Sequence, residues 1–379
     1  MEGTAEARSP TNVTMERSSF ASESLSGPAE IIASLPGVLG FYPHESVIVL
    51  GLVDNDRPGC ATLGPVLRSD ITHAHELGDI IGELPMDRCV AFLAVLVTRI
   101  PHSPLAEAAI NALFALTTDT GAPLIDACWH VSEIATGTPY SLVFEPGKGS
   151  VVAGSFGKEW TCGTVSSVAA SPAMKPLITN GVLPELSRED TYSHFEWCPP
   201  GDHEEAEERE ARQKLAARRG SELTRKINRG DPRARAGALE AGRSLSAFPA
   251  RQLIGVDADD RSDQLDVSDD DLVALATLLS SSILRDGLIN MALADPACAG
   301  TAMMSVARTF TGVIRANALC VWAILAIDKG LTSWATAALM TALEEVPSHN
   351  LSGLIIDLMR IGQEKSLIHA ARDGSVCAW

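Results

Sequence analysis

The chain has 379 residues, 46% hydrophobic and 21% charged, with a net charge of −18. That length suits two domains rather than one, the composition excludes a disordered or fibrous chain, and the charge disfavours generic attraction to phosphate backbones or anionic lipid. No apolar run approaches the roughly 18–20 residues of a membrane helix.

Residues 1–25 are rich in Ser, Thr and Glu and have no apolar core, so they read as a disordered tail and not as a secretory signal. Order is expected to begin at Pro28, a favourable first helical residue, in a helix running to Leu35. Ser46–Val53 is β-branched and nearly continuously apolar, the pattern of a strand buried on both faces. Asp54–Gly59 is turn chemistry, and a second strand is expected over Pro65–Ile71, then a helix over His75–Leu84. Cys89–Thr98 reads as another buried strand and Leu105–Leu116 as a helix. Leu124–Ile134 and Tyr140–Phe144 read as strands joined through Thr136-Gly-Thr-Pro139. Strands alternating with helices, then a hairpin, define an α/β domain with a mixed sheet over residues 26–198. Within it, short helices are expected near Ala169 and Glu185.

Asp202–Arg219 reads as an exposed helix whose acidic start and basic end suit the helix dipole, inside a charged helix and linker over 199–267. Ser268 has the position of an N-cap, with Leu272, Leu275, Ala276, Leu279 and Ile283 following at helical spacing. From 268 to 379 no convincing strand occurs, so this part is expected to be an all-helical domain. Trp322, Ala323, Ala326, Gly330, Ala335, Leu339, Ala342 and Pro347 fall at the spacings of a tetratricopeptide-like helical pair, although no second copy occurs at that period. Ala-rich core packing accounts for the same pattern.

Charge is unevenly spread. Residues 209–251 carry 12 Arg and Lys against 4 acidic residues, between an acidic run at Asp202–Glu208 and another at Asp257–Asp271. The island reads either as a solvated strip neutralised by its neighbours or as a docking strip, with Arg218, Arg219, Arg225, Lys226 and Arg229 as its contact residues. Its only aromatic is Phe248, which leaves little for nucleic-acid bases to stack on.

Several local groupings bear on chemistry. His44, Glu45 and Ser46 place an imidazole, a carboxylate and a hydroxyl on one loop, although adjacent residues rarely aim at a common atom. In an open sheet a pocket forms outside strand carboxyl ends, so the loops after Val53 and Thr98 would line one, with Arg57, Arg99 and His102 available for anionic groups. Ala153-Gly-Ser-Phe-Gly157 fits a relaxed nucleophile elbow but precedes no convincing helix, and Gly157-Lys158 lacks the rest of a P-loop. His73 and His75, with Asp70, Glu76 and Asp79, are metal-capable; His75 and Asp79 share a helical face but His73 sits on another, and Asp257–Asp271 fails the EF-hand template at Ser262 and Ser268. Cys198 has no identifiable base. The eight cysteines are never closer than 22 residues, which argues against zinc knuckles and a disulfide scaffold and for a reduced, cytoplasmic setting. No metal and no cofactor is called for.

The stretch Ala33-Ser-Leu-Pro-Gly-Val-Leu-Gly-Phe-Tyr-Pro-His-Glu-Ser-Val-Ile-Val-Leu-Gly51 resembles the opening signature of the actinobacterial "domain of unknown function 4192" family. Ala170–Arg188 with Ser187-Arg-Glu189 resembles its mid-chain motif, and Ala318–Gly362 resembles its helical end. Where the family often has an aromatic-rich strand followed by paired cysteines, residues 125–165 here offer Trp129, Trp160 and Cys162. The resemblance implies an intracellular two-part protein and no particular activity. The expectation that results is a non-enzymatic interaction or regulatory protein with an unknown protein partner and no membrane. The alternatives are an enzyme or metabolite sensor with a small-molecule site over the sheet, and nucleic-acid binding through 209–251.

Overall fold

A computed structural model describes residues 13–17, 27–54, 61–81, 89–118, 120–145, 157–254 and 268–378. By contact the chain divides into two units, Met1–Lys175 with Arg360–Gly362, and Pro176–Met359 with Gln363–Trp379. The division falls at 175, not at 198. Arg57, Ala153–Phe156 and the acidic stretch from Asp257 to Val267 lie outside the described residues.

The first unit is a mixed sheet with helices on both faces. Its strands are β1 (Val13–Arg17), β2 (Ser46–Asp54), β3 (Ala61–Asp70), β4 (Cys89–Val97), β5 (Ala127–Val131), β6 (Pro139–Phe144) and β7 (Cys162–Thr164), in spatial order β1-β3-β2-β4-β5-β6-β7. β1 lies within the segment expected to be a tail and pairs antiparallel to β3. Only β4 and β5 run parallel, joined through α3 (Pro104–Ala115); the other pairs are antiparallel. β2 is central, and its alternation splits its side chains between two cores. Ile48 and Leu50 pack with α1 (Pro28–Leu39) and with Trp129, whereas Val47 and Val49 pack with α3 and with α2 (Leu77–Ile81). Each such fully buried aliphatic side chain contributes roughly 1.5–3 kcal/mol.

The glycines of the opening signature have physical roles. α1 continues through Pro36 to Leu39 and ends at Gly40, whose φ of 77° lets its N–H close on Pro36 O at 2.9 Å. A Cβ at Gly37 would stand 2.5 Å from the Ala173 backbone, so only glycine lets α1 approach the Pro172–Met174 turn. Trp129 and Trp160 meet, with the Trp129 indole N–H donating to Trp160 O at 2.7 Å. The helix expected over His75–Leu84 is a 3-10 turn, Ile71–Glu76, leading into α2, and a four-residue helix, α4 (Lys158–Thr161), follows Gly157.

The second unit is helical throughout its described residues: α5 (Lys175–Thr179, of which Lys175 belongs to the first unit), α6 (Arg188–Ser193), α7 (His203–Asn228), α8 (Pro232–Gly242), α9 (Asp269–Leu278), α10 (Ser282–Ala294), α11 (Pro296–Thr309), α12 (Gly312–Asp328), α13 (Thr332–Glu345), α14 (Asn350–Arg360) and α15 (Glu364–Ala378). Ser187 caps α6 in a capping box with Asp190, and the Ser268 side chain accepts from Asp271 N–H as the cap of α9.

Residues 203–247 are not a solvated linker. α7 runs to Asn228, nine residues beyond Arg219, packs on α9, and buries Ala216, Gly220 and Ile227. At Gly220 a Cβ would stand 2.7 Å from Thr277 O, so the contact depends on a small-residue stripe that carries little hydropathy signal.

α12 is the unit's central element, with 14 buried residues from Ile314 to Ile327. Its helix ends are tied by side chains. Arg315 donates to Ala307 O (3.1 Å) and Phe195 O (2.8 Å) and pairs with Glu345 at 2.5 Å, while Glu345 also accepts from Gly312 N–H. Among the described residues no single helix is long and apolar enough to cross a membrane. The bent pair α9 and α10, at 116°, passes that test by length and composition only, and both helices contribute to the buried interior.

Candidate functional site

Antiparallel pairing decides which polar residues meet at one end of the sheet. Ser46 stands opposite both Asp70 and Val97, and Val97 stands opposite Val131. The start of β2 and the ends of β3, β4 and β5 are therefore neighbours. The loop after Val53 belongs to the opposite end, since Val53 pairs with Cys89. A pocket lined by the loops after Val53 and after Thr98 is thus ruled out by the strand directions.

At the Ser46 end the contacts form a connected set. Glu45 has φ 39°, an uncommon backbone for a carboxylate residue. It is held there by Ile71 N–H, which donates to Glu45 O at 2.9 Å, and by its carboxylate, which accepts from Thr98 Oγ1 (2.7 Å) and Arg99 N–H (3.2 Å). The Arg99 guanidinium pairs with Glu133 at 2.6 Å. His130 Nε2 donates to Thr98 O at 2.8 Å, because a carbonyl can only accept. Ser46 is fully buried; its hydroxyl donates to His44 O at 2.5 Å and accepts from Arg68 Nε at 3.0 Å. Arg68 is buried, pairs with Asp70, and lies over the Phe41 ring.

Of the expected site residues, His44, Glu45, Ser46 and Arg99 come together here. His102 is exposed near the start of α3 and makes no hydrogen bond or ion pair among the described residues. The triplet His44, Glu45 and Ser46 does not converge, because Ser46 turns to the His44 carbonyl rather than to an imidazole. Arg68, Thr98, His130 and Glu133 were not singled out from sequence, and Asp70 was named only among metal-capable groups. They come from three other strands and their adjoining loops, and no local motif marks them.

A second polar chain lies inside the helical unit. Ser352 Oγ donates to His349 Nδ1 (2.7 Å), His349 Nε2 donates to Asn317 Oδ1 (2.9 Å), and Arg285 donates to the same oxygen (2.7 Å). Asn317 Nδ2 closes the chain on Leu279 O at 2.8 Å. The connectivity is that of a hydroxyl, a base and an orienting amide. Ser352, however, has no solvent exposure, and His349 Nδ1 also accepts from Ser352 N–H, which makes it a helix cap. Burial, together with the nearby Arg285 charge, lowers the His349 pKa to about 4, so the ring is neutral at pH 7. Burial also raises the Cys320 thiol to about 11, which leaves it unreactive. This chain is a strut, not a reaction centre.

The third polar region is the surface of α7. In its first half the cations are matched one turn away: Arg209 with Glu205 (2.5 Å), Arg212 with Glu208 (3.0 Å) and Lys214 with Glu210 (2.6 Å). Arg212 also reaches Asp269 at 2.8 Å. Beyond Gly220 the only such pair among the described residues of α7 is Lys226 with Glu222, at 2.8 Å. The Lys226 hydrogen bond and charge, with Arg225 and Arg218 adding to them, hold the Glu222 carboxyl below its ordinary range. Arg218, Arg219, Arg225 and Arg229, with Arg233 and Arg235 on α8, are exposed and make no hydrogen bond or ion pair among the described residues. Among the described residues, then, the cations in the first half of α7 are matched by their own neighbours and most of those in the second half are not, the acidic stretch from Asp257 to Val267 lying outside the described residues.

No group of three or more His, Cys, Asp or Glu residues able to hold a metal ion occurs among the described residues. The class that emerges is an α/β sheet unit and a helical unit in one chain. The family described as "Domain of unknown function (DUF4192)" matches residues 28–365, and the chain belongs to that family. No curated protein matches the chain, and no solved structure does.

Proposed function

We propose that this is a cytoplasmic, non-enzymatic interaction or regulatory protein that docks an acidic protein segment on the second half of α7 and the start of α8. One observation carries the reading: six exposed arginines, Arg218, Arg219, Arg225, Arg229, Arg233 and Arg235, make no ion pair among the described residues, whereas their counterparts in the first half of the same helix do. Such a face attracts anionic groups at long range and loses that attraction as salt rises. A protein segment is favoured over nucleic acid because the exposed neighbours Leu215 and Leu239 are aliphatic and Phe248 is buried, leaving apolar contact but no stacking platform. That Cys128, Cys162, Cys198, Cys298 and Cys320 form no disulfide among the described residues fits a reducing compartment.

α12 and α13 fit a tetratricopeptide-like pair in this reading. Ala323, Ala335 and Ala342 are buried at their contact, and Gly330 turns the chain between the helices with φ 75°. Both helices are largely buried, which directs docking to α7 and α8 instead.

The test is crosslinked capture from the native host with the wild-type chain and with a variant carrying Arg218→Glu, Arg219→Glu, Arg225→Glu and Arg229→Glu. A defined protein should be retained at about 0.15 M salt and released at about 0.5 M, where screening shortens to a few ångströms. The variant should not retain it. Equal retention by the variant would remove the proposal, and nuclease-sensitive retention would transfer the strip to nucleic acid.

A further inference from the structure

The helical unit contains a cavity of about 410 Å³, within the range of small-molecule sites. Four segments line it: the end of α5, residues 250–254, the start of α11, and the turn between α12 and α13. None of the twelve described lining residues is acidic, and two are cationic, Arg251 and Lys329. Asp328 beside Lys329 is engaged by Arg372 at 3.3 Å, while the Lys329 ammonium has no hydrogen bond or ion pair among the described residues. Val182, Ile254 and Leu331 supply apolar wall, and Gln252 supplies an amide.

The rim is built rather than incidental. Asn180 Nδ2 donates to Pro176 O (2.7 Å) and to Lys329 O (3.2 Å), tying the turn after α5 to the turn that carries Lys329. Both turns rest on left-handed glycines, Gly181 with φ 69° and Gly330 with φ 75°. A Cβ at Gly181 would stand 2.9 Å from the Gln252 amide, so that glycine also seats Gln252. With its Nδ2 so engaged, Asn180 has its amide oxygen left to accept from a ligand hydroxyl or amine.

We propose that this cavity binds a small organic anion, an apolar body with a carboxylate or phosphate head, its charge held by Lys329. The proposal does not depend on the docking role of α7. It puts a metabolite-responsive site in the helical unit, whereas sequence patterning had pointed to the sheet.

Calorimetric titration of the full chain with hexanoate, phenyl phosphate and hexanamide tests it. At least one anion should bind while the neutral hexanamide does not, and which anion binds distinguishes the carboxylate from the phosphate head. Lys329→Gln should weaken that binding about tenfold or more, and Lys329→Arg should keep it within about threefold. Ala297→Leu, which fills the cavity, should abolish it. Lys329 is exposed on a turn, and circular dichroism of its variants should match the wild type. No binding of either anion, equal binding of hexanamide, or unchanged affinity in Lys329→Gln would each overturn the proposal.

Discussion

In the α/β unit the connected polar side chains stand at strand ends, whereas in the helical unit they run through the interior. The sheet pairs its own backbone groups along the ladder, so both of its faces can be apolar and polar side chains collect where strands stop. A helix leaves four N–H groups and four carbonyls without partners at its ends. Where several helices end inside one body, side chains must meet them. Arg315 serves the ends of α11 and α6, Asn317 the end of α9, and Glu345 the start of α12. A buried polar cluster thus signals architecture in the helical unit, while the polar set at the Ser46 end of the sheet is partly open to solvent.

The sharpest way to break this contrast is Arg315→Met. It strands a mostly buried carboxylate and two helix-end carbonyls, and the expected loss is about 4 kcal/mol in urea unfolding. A loss below about 1 kcal/mol would mean that the interior ties are ornamental. Next is pH. His349 has an ordinary pKa of 6.5 when unfolded and about 4 when folded, so between those values the unfolded chain holds more protons. Stability should therefore be intact above pH 6.5 and fall by about 3 kcal/mol as pH drops toward 4. His349→Gln should flatten that slope, seen in urea midpoints across the same pH range, and an unchanged slope would place the titration elsewhere.

The smallest effect belongs to the sheet end. Glu45→Ala should cost about 2 kcal/mol for two lost hydrogen bonds and keep the strained backbone, while Glu45→Gly should recover about 1 kcal/mol of it. Equal urea midpoints for the two variants would show that φ 39° carries no strain, and the Glu45 turn would then be held by nothing more than its side-chain bonds.

Elements with a strong period were legible. Ser46–Val53, Cys89–Thr98, Leu105–Leu116 and the Ser268 cap all appear within a residue or two of their expected bounds, because burial on one or both faces imprints the pattern locally. The packing of α7 was not legible, since its three buried residues, Ala216, Gly220 and Ile227, leave a weak hydropathy trace. Part of the sheet-end set was visible as His44, Glu45, Ser46 and Arg99. Its partners Arg68, Thr98, His130 and Glu133 were invisible because nothing local ties them to one another.

By itself, then, the amino-acid sequence settled most of the central strands and the longer helices, that a strand-bearing part precedes a helical one, and which family the chain joins. These depend on side-chain periodicity and turn chemistry, which act over a few residues. Tertiary structure alone decided strand direction, and with it that the loops after Val53 and Thr98 lie at opposite ends of the sheet. It also decided which arginines find partners and which face solvent, because a charge is neutralised by whatever folding brings within about 4 Å, not by what precedes it in the chain.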